Sequence, residues 1–282
     1  MRGEEAKISN ETSSKDAFIK MSEEAEEFDP QKQFITRWND WVATKLSAVT
    51  ESPIDEDELV KVHIGEGPTN REWGKQFVDP YTFGIYASAA EIGALSDQFV
   101  QDENGLGVDG SIKGAIALFS EIFGIGNQVQ LEALPGNDEQ YADTWGLYVP
   151  GTDTIWFNFA KASSAHDGDA SNIAGEMLSC IAHEMWHARQ DYLSSDSPTL
   201  RSVIYGENFK NYLSPQNGYH GYRDQLIEDE AHTIGTTVTE ALKLYSRNKD
   251  AFTNNESTCA DSKAQAMQSI RAHEQELARH SL

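Results

Sequence analysis

Ser171-Asn-Ile-Ala-Gly-Glu-Met-Leu-Ser-Cys-Ile-Ala-His-Glu-Met-Trp-His-Ala-Arg-Gln-Asp-Tyr192 reads as a single helix. No proline interrupts it, and Ser171 or Asp169 can cap its start. At about 100° per residue, Ala174, Met177, Leu178, Ile181 and Met185 fall on one apolar face. Glu176, Cys180, His183, Glu184 and His187 form a separate stripe. The first face suits a core and leaves the second free for chemistry. Within the stripe, His183-Glu-Met-Trp-His187 is an H-E-x-x-H motif. Helical residues four apart share a face, so both imidazoles can reach one metal ion. Glu184 lies beside them, placed to take a proton from a metal-bound water. The plainer reading is a pair of ordinary helix-surface histidines. With only 8 His in 282 residues, a chance match on a helix is rare.

A catalytic zinc usually has three protein ligands and one open position. The metzincin extension needs Gly at 190 and His at 193, where this chain has Gln190 and Leu193. The other common arrangement takes a Glu from a second helix downstream. Asp224–Ser246 has helical spacing and carries Glu228-Asp-Glu-Ala-His232. Glu228 and His232 are four apart and share a face, whereas Glu230 points about 200° away from Glu228. Glu228 is the expected third ligand, with Glu230 the alternative. His232 is placed to hydrogen-bond a ligand or to lie on the surface, and Ala231 is small enough to let two helices approach closely.

The rest of the chain sets bounds. A length of 282 residues allows one large domain or a domain with an appendage. The net charge of −24 disfavours nucleic-acid and anionic-membrane partners. It serves solubility, or a preference for basic substrate segments. Two cysteines do not indicate a disulfide framework, and Cys180 reads as a small buried packing residue. The N-terminus lacks an apolar signal-peptide core and no 18-residue apolar run occurs. The expected location is cytoplasmic, unless the chain is a piece of a larger protein.

Residues 1–28 read as an acidic tail and 29–105 as a mostly helical N-terminal region, including a helix over Gln31–Val49 and a short strand over Leu59–Ile64. Gly65–Pro80 reads as an irregular loop, Tyr81–Val100 as one helix and Asp102–Gly110 as a turn-rich break that marks a domain boundary. That break lacks calcium ligands where Leu106 and Lys113 stand. Ser111–Phe123 reads as a helix and Gln128–Leu134 as a strand. Trp145–Val149 and Thr154–Asn158, flanking Pro150-Gly-Thr-Asp, carry a hairpin signal. Ala160–Asp169, residues 199–222 and Asn248–Thr258 read as loops, and Lys263–His280 as a last helix.

On His183-Glu-Met-Trp-His187, Glu228-Asp-Glu-Ala-His232 and the hairpin Gly146–Asn158, the chain resembles the gluzincin metallopeptidases. It is most similar to the minimal gluzincins and the ImmA/IrrE-type peptidases often associated with phages and mobile elements. The resemblance covers roughly residues 112–245 and departs at His232, where that family tends to have Asn or Asp. It implies an α+β fold, mostly helical, in which a small twisted sheet with a hairpin edge strand packs on the motif helix and a second Glu-bearing helix. The peptidase domain would span 106–282. The resemblance further implies zinc held by His183, His187 and Glu228, a peptide or protein substrate, and Glu184 as general base. Tyr219, His220 and Tyr222, just before the Glu helix, are candidate donors to the oxyanion, and Thr154–Asn158 is a candidate strand for pairing with an extended substrate. The competing expectation is a binding or regulatory module that keeps the metal fold without turnover.

Overall fold

The computed structural model describes residues 68–101, 106–126, 129–134, 141–196, 200–213, 219–254 and 256–279. Helices α1 (Pro68–Ala87), α2 (Ala89–Gln101) and α3 (Leu106–Phe123) precede three short strands, β1 (Gln130–Ala133), β2 (Gly146–Val149) and β3 (Thr154–Phe157). Six helices follow: α4 (Phe159–Ala165), α5 (Ala170–Asp196), α6 (Leu200–Lys210), α7 (Tyr219–Arg223), α8 (Leu226–Asn254) and α9 (Glu256–Arg279). The protein is α+β, mostly helical with one small mixed sheet. The acidic tail and the expected elements over 31–49 and 59–64 lie outside the described residues. Among those described, no helix is long and apolar enough to cross a membrane.

The motif helix is the centre of the fold. Asp169 caps α5, its Oδ1 accepting the backbone N–H of Ser171 at 2.9 Å and of Asn172 at 3.0 Å. The predicted apolar face is fully buried: Ala174, Met177, Leu178, Ile181 and Met185 expose nothing. Around α5 pack α2, α3, α6, α8 and strands β2 and β3. Helix α8 lies against α5 and also against α1 and α2.

In the sheet, β3 runs parallel to β1 and antiparallel to β2, in the order β1-β3-β2. The hairpin forms as its sequence predicts, but its second strand is the central one. Both edges of β3 are therefore paired, and Thr154–Asn158 is not available to an extended substrate as expected. The single edge that the hairpin contributes belongs to β2.

Several stretches expected to be irregular are helical. Pro68 opens α1, a position where its missing N–H costs nothing. Pro80 lies inside that helix and removes one ladder bond. Burial of Val78, Tyr81 and Ile85 on one face outweighs the composition that read as a loop over 65–80. The expected single helix over 81–100 is broken at Ser88, and residues 106–110 belong to α3 rather than to a loop. In α4, the Asn158 side chain accepts the Lys161 N–H at 2.9 Å and starts a helix inside the expected polar loop. Residues 199–222 contain α6 and α7, with Ile204, Tyr205 and Phe209 buried. The expected loop over 248–258 is helical up to Asn254 and again from Glu256, with one non-helical residue at Asn248 (φ −129°, ψ 24°).

Position 105 was the expected domain boundary. Val78, Tyr81, Ile85, Ala89 and Ile92 before it share one core cluster with Phe119, Met177, Trp186, Ile234 and Ile270 after it. Arg189 ties this core together. It is 2% exposed, and its guanidinium donates to the Tyr81 hydroxyl at 2.7 Å, to Glu274 Oε1 at 2.5 Å and to the Phe123 carbonyl. It also lies over the Tyr81 and Trp186 rings at 4.7 and 5.7 Å. One cation thus joins α1, α3, α5 and α9. Glu274 is 35% exposed, so Arg189→Met is expected to cost about 1–3 kcal/mol, chiefly from the partners left unpaired, read as a lower denaturant midpoint in urea unfolding.

Candidate metal centre

Two helices meet closely at the site because the residues at their crossing are small. Ala231 is fully buried between them. A Cβ on Gly235 would stand 3.2 Å from both the carbonyl oxygen and Oγ of Ser179, and 3.5 Å from His183 Cβ. Ser179 Oγ donates to the Gly235 carbonyl at 2.9 Å. This crossing brings the first turn of α8 beneath the H-E-x-x-H face of α5.

There, His183, His187 and Glu228 converge. The two Nε2 atoms are 3.2 Å apart. His183 Nε2 is 3.6 Å from Glu228 Oε2, and His187 Nε2 is 3.4 Å from Glu228 Oε1. Four ligands placed at 2.0–2.1 Å around a tetrahedral ion stand about 3.3–3.4 Å from one another. The separation of the two imidazole nitrogens is close to that spacing, each imidazole lies at a similar range from one Glu228 oxygen, and the donor set of two imidazoles and a carboxylate suits zinc. Glu228 Oε2 is buried, with His183 Nε2 at 3.6 Å and His232 Nε2 at 3.9 Å as polar neighbours. These three residues form the metal-competent group of His, Cys and acidic side chains found among the described residues.

Electrostatics follow from the crowding. Burial opposes ionisation of Glu228, but the positive charge and hydrogen bonds of His187 and His183 outweigh it and hold the carboxyl well below the usual range. Burial would lower His187, yet the Glu228 carboxylate overrides it and pushes the imidazole up to about 9. Glu184 is 6% exposed, and burial raises its pKa against the pull of His183 and His187. Its carboxylate accepts the backbone N–H of Tyr148. Asn158 N–H donates to the Trp145 carbonyl at 2.9 Å, so along β2 the odd-numbered residues bond to β3. The Tyr148 N–H therefore points off the paired edge and towards α5. Asp191, two turns along from Glu184, takes the Tyr148 hydroxyl at 2.9 Å and the Gly151 N–H at 2.7 Å. The motif helix thereby holds the hairpin at two points.

The structure brings Glu228 to the histidines and turns Glu230 away. Glu230 instead accepts hydrogen bonds from Trp186 and Gln190 of α5 and from Tyr205 of α6. His232 stands beside the site, its Nε2 3.9 Å from Glu228 Oε2 and its ring 4.7 Å from that of His183. Burial and then the neighbouring His183 and Arg223 charges lower its pKa to about 3. Tyr222 reaches the site, hydrogen-bonding Glu228 with its ring 6.4 Å from His232. Tyr219 and His220 belong to α7, but their side chains lie outside those described. Cys180 is buried as expected.

Tyr212, Gln190 and Gly146 escaped the sequence reading. The Tyr212 hydroxyl donates to Glu228 Oε1 at 2.7 Å, from an irregular segment that gives no periodic signal. Exclusion of water from the hydroxyls, then the Glu228 charge, raises the pKa of both Tyr212 and Tyr222, although 38% of Tyr212 stays exposed, so each keeps its proton as a donor. Gln190 receives His187 Nδ1 at 2.8 Å. Its position three residues past His187, on the same helical face, was the available signal. Gly146 abuts the site at the start of β2. A Cβ there would lie 2.2 Å from Cys180 Sγ and 3.0 Å from Glu184 Oε1. Gly146→Ala is expected to destabilise the protein by about 1–3 kcal/mol through overpacking. Adding Cys180→Ala should recover part of that loss, measured by thermal unfolding of the single and double variants.

No family model, curated protein or solved structure matches the chain, so the reading of this site rests on its own residues.

Proposed function

We propose that the protein is a zinc-dependent metallopeptidase of gluzincin type that hydrolyses peptide bonds, with His183, His187 and Glu228 as metal ligands. The observation that carries this reading is the convergence of those three side chains, with one ligand atom from each within 4.8 Å of the others, and Glu184 one residue from the first of them. When bound, the metal supplies Lewis acidity towards a substrate carbonyl and towards water. The chain's own residues do the rest. The Glu184 carboxylate, its pKa raised by burial, receives the proton released by the attacking water and delivers it to the departing amine. The Tyr148 N–H holds that carboxylate in place while leaving it lone pairs. Tyr212 and Tyr222 present protonated hydroxyls at the same centre and are the candidates for sharing the oxyanion's charge. The net charge of −24 favours cationic segments of substrate.

The test combines elemental analysis with digestion of a random peptide pool, read by mass spectrometry. Wild-type protein should hold one zinc and cleave peptides, and a chelator should stop the cleavage. Glu184→Gln should retain zinc and lose about 10²–10⁴-fold in rate, the usual contribution of a general base. His183→Ala should lose the metal as well. Cleavage by Glu184→Gln at the wild-type rate removes the assigned base. Zinc without any cleavage turns the reading into a metal-holding binding module.

A further inference from the structure

The buried polar side chains behind His187 have hydrogen-bonding capacities that permit one pattern of proton donation. Arg201 can only donate, and its Nε gives a hydrogen bond to the Tyr205 hydroxyl at 2.7 Å. The Tyr205 proton is then directed onward, to Glu230 Oε2 at 2.8 Å. Trp186 Nε1, also donor-only, reaches the same oxygen at 3.0 Å. Glu230 Oε2 is thereby an acceptor, and any proton that the carboxyl carries sits on Oε1. The Gln190 amide faces this oxygen at 2.9 Å and the Ile227 carbonyl at 3.1 Å. Both are acceptors, so that end of the amide is the NH2 group and a flipped amide would set oxygen against two oxygens. Gln190 Oε1 must then face His187 Nδ1, 2.8 Å away, and the imidazole must be the donor. What remains is His187 Nε2, aimed at His183 and Glu228.

We infer that Gln190, oriented by Glu230 and through it by Tyr205 and Arg201, is the positioning residue that fixes His187 with its proton on Nδ1 and its lone pair on Nε2 facing the metal. The inference rests on the proposed metal site but not on peptidase activity. It assigns Glu230, the alternative ligand by sequence, to the support of the ligand set. It also gives α6, through Arg201 and Tyr205, a connection to the site across α8. Gln190, Tyr205 and Glu230 are all essentially without exposure, so water cannot substitute for a lost partner at no cost.

The experiment uses full-length protein with 15N-labelled histidine, metal-free and after loading with zinc or cadmium, together with a zinc competition titration. In wild type, a His187 Nδ1–H signal should exchange slowly with solvent in both states, and cadmium should couple to Nε2. Gln190→Leu should speed that exchange and weaken zinc binding about 10–100-fold, the usual loss when a ligand's hydrogen-bond partner is removed. Tyr205→Phe keeps the ring and removes only the donor to Glu230. It should shift both readouts in the same direction by less, and it serves as the test if Gln190→Leu does not fold. Metal coordination through His187 Nδ1 overturns the inference, as does wild-type zinc affinity in both variants. If wild type shows the protected Nδ1–H and binds zinc yet cleaves no peptide, the positioning role stands and the peptidase reading falls. If wild type binds no zinc, the metal reading and the role built on it both fall.

Discussion

The close crossing of α5 over α8 at Ser179, Ala231 and Gly235 is the constraint on which the site depends. The histidines come from one helix and the carboxylate from another, separated by 41 positions between His187 and Glu228 (228 − 187 = 41). Only small residues at the crossing let the backbones come near enough for short side chains to meet. A pair of Leu residues there would hold the axes apart and leave the donors out of reach. The chemistry of the site is thus decided by residues that carry none.

Around that crossing, the protein sets polar groups deep in an apolar interior and satisfies them in series. Glu228 lies among His183, His187 and Tyr212, while Glu230, two residues on, lies among Trp186, Gln190 and Tyr205. The two carboxylates meet different neighbours and are driven in opposite directions. Histidine neighbours hold Glu228 low, and burial raises Glu230. Two acidic residues of the same type are separated in role by what each one faces.

Much of this was legible in the sequence. The α5 face, its cap at Asp169, the hairpin and the H-E-x-x-H pair follow from periodicities of 3.6 and 2 and from a motif with fixed spacing. Helix-face geometry favours Glu228, which shares a face with His232, and leaves Glu230 as the alternative. What stayed hidden had physical reasons. The helices over 68–80, 159–165 and 200–210 are built from segments whose composition favours loops, and tertiary burial of residues such as Val78, Ala162 and Tyr205 decides them. Tyr212 comes from irregular backbone, where no period points to a partner. Which strand of the hairpin would be central depended on β1, which pairs with β3 from a distance in sequence that no local pattern encodes.

The Arg189 guanidinium sits two residues past the second histidine and finds its carboxylate near the end of the chain, at Glu274. The last helix is therefore no detachable appendix. Cleavage upstream of Glu274 would strand a positive charge inside the protein, two residues from His187. Damage in α9 would register in the geometry of the motif helix before any residue of the candidate site had been touched.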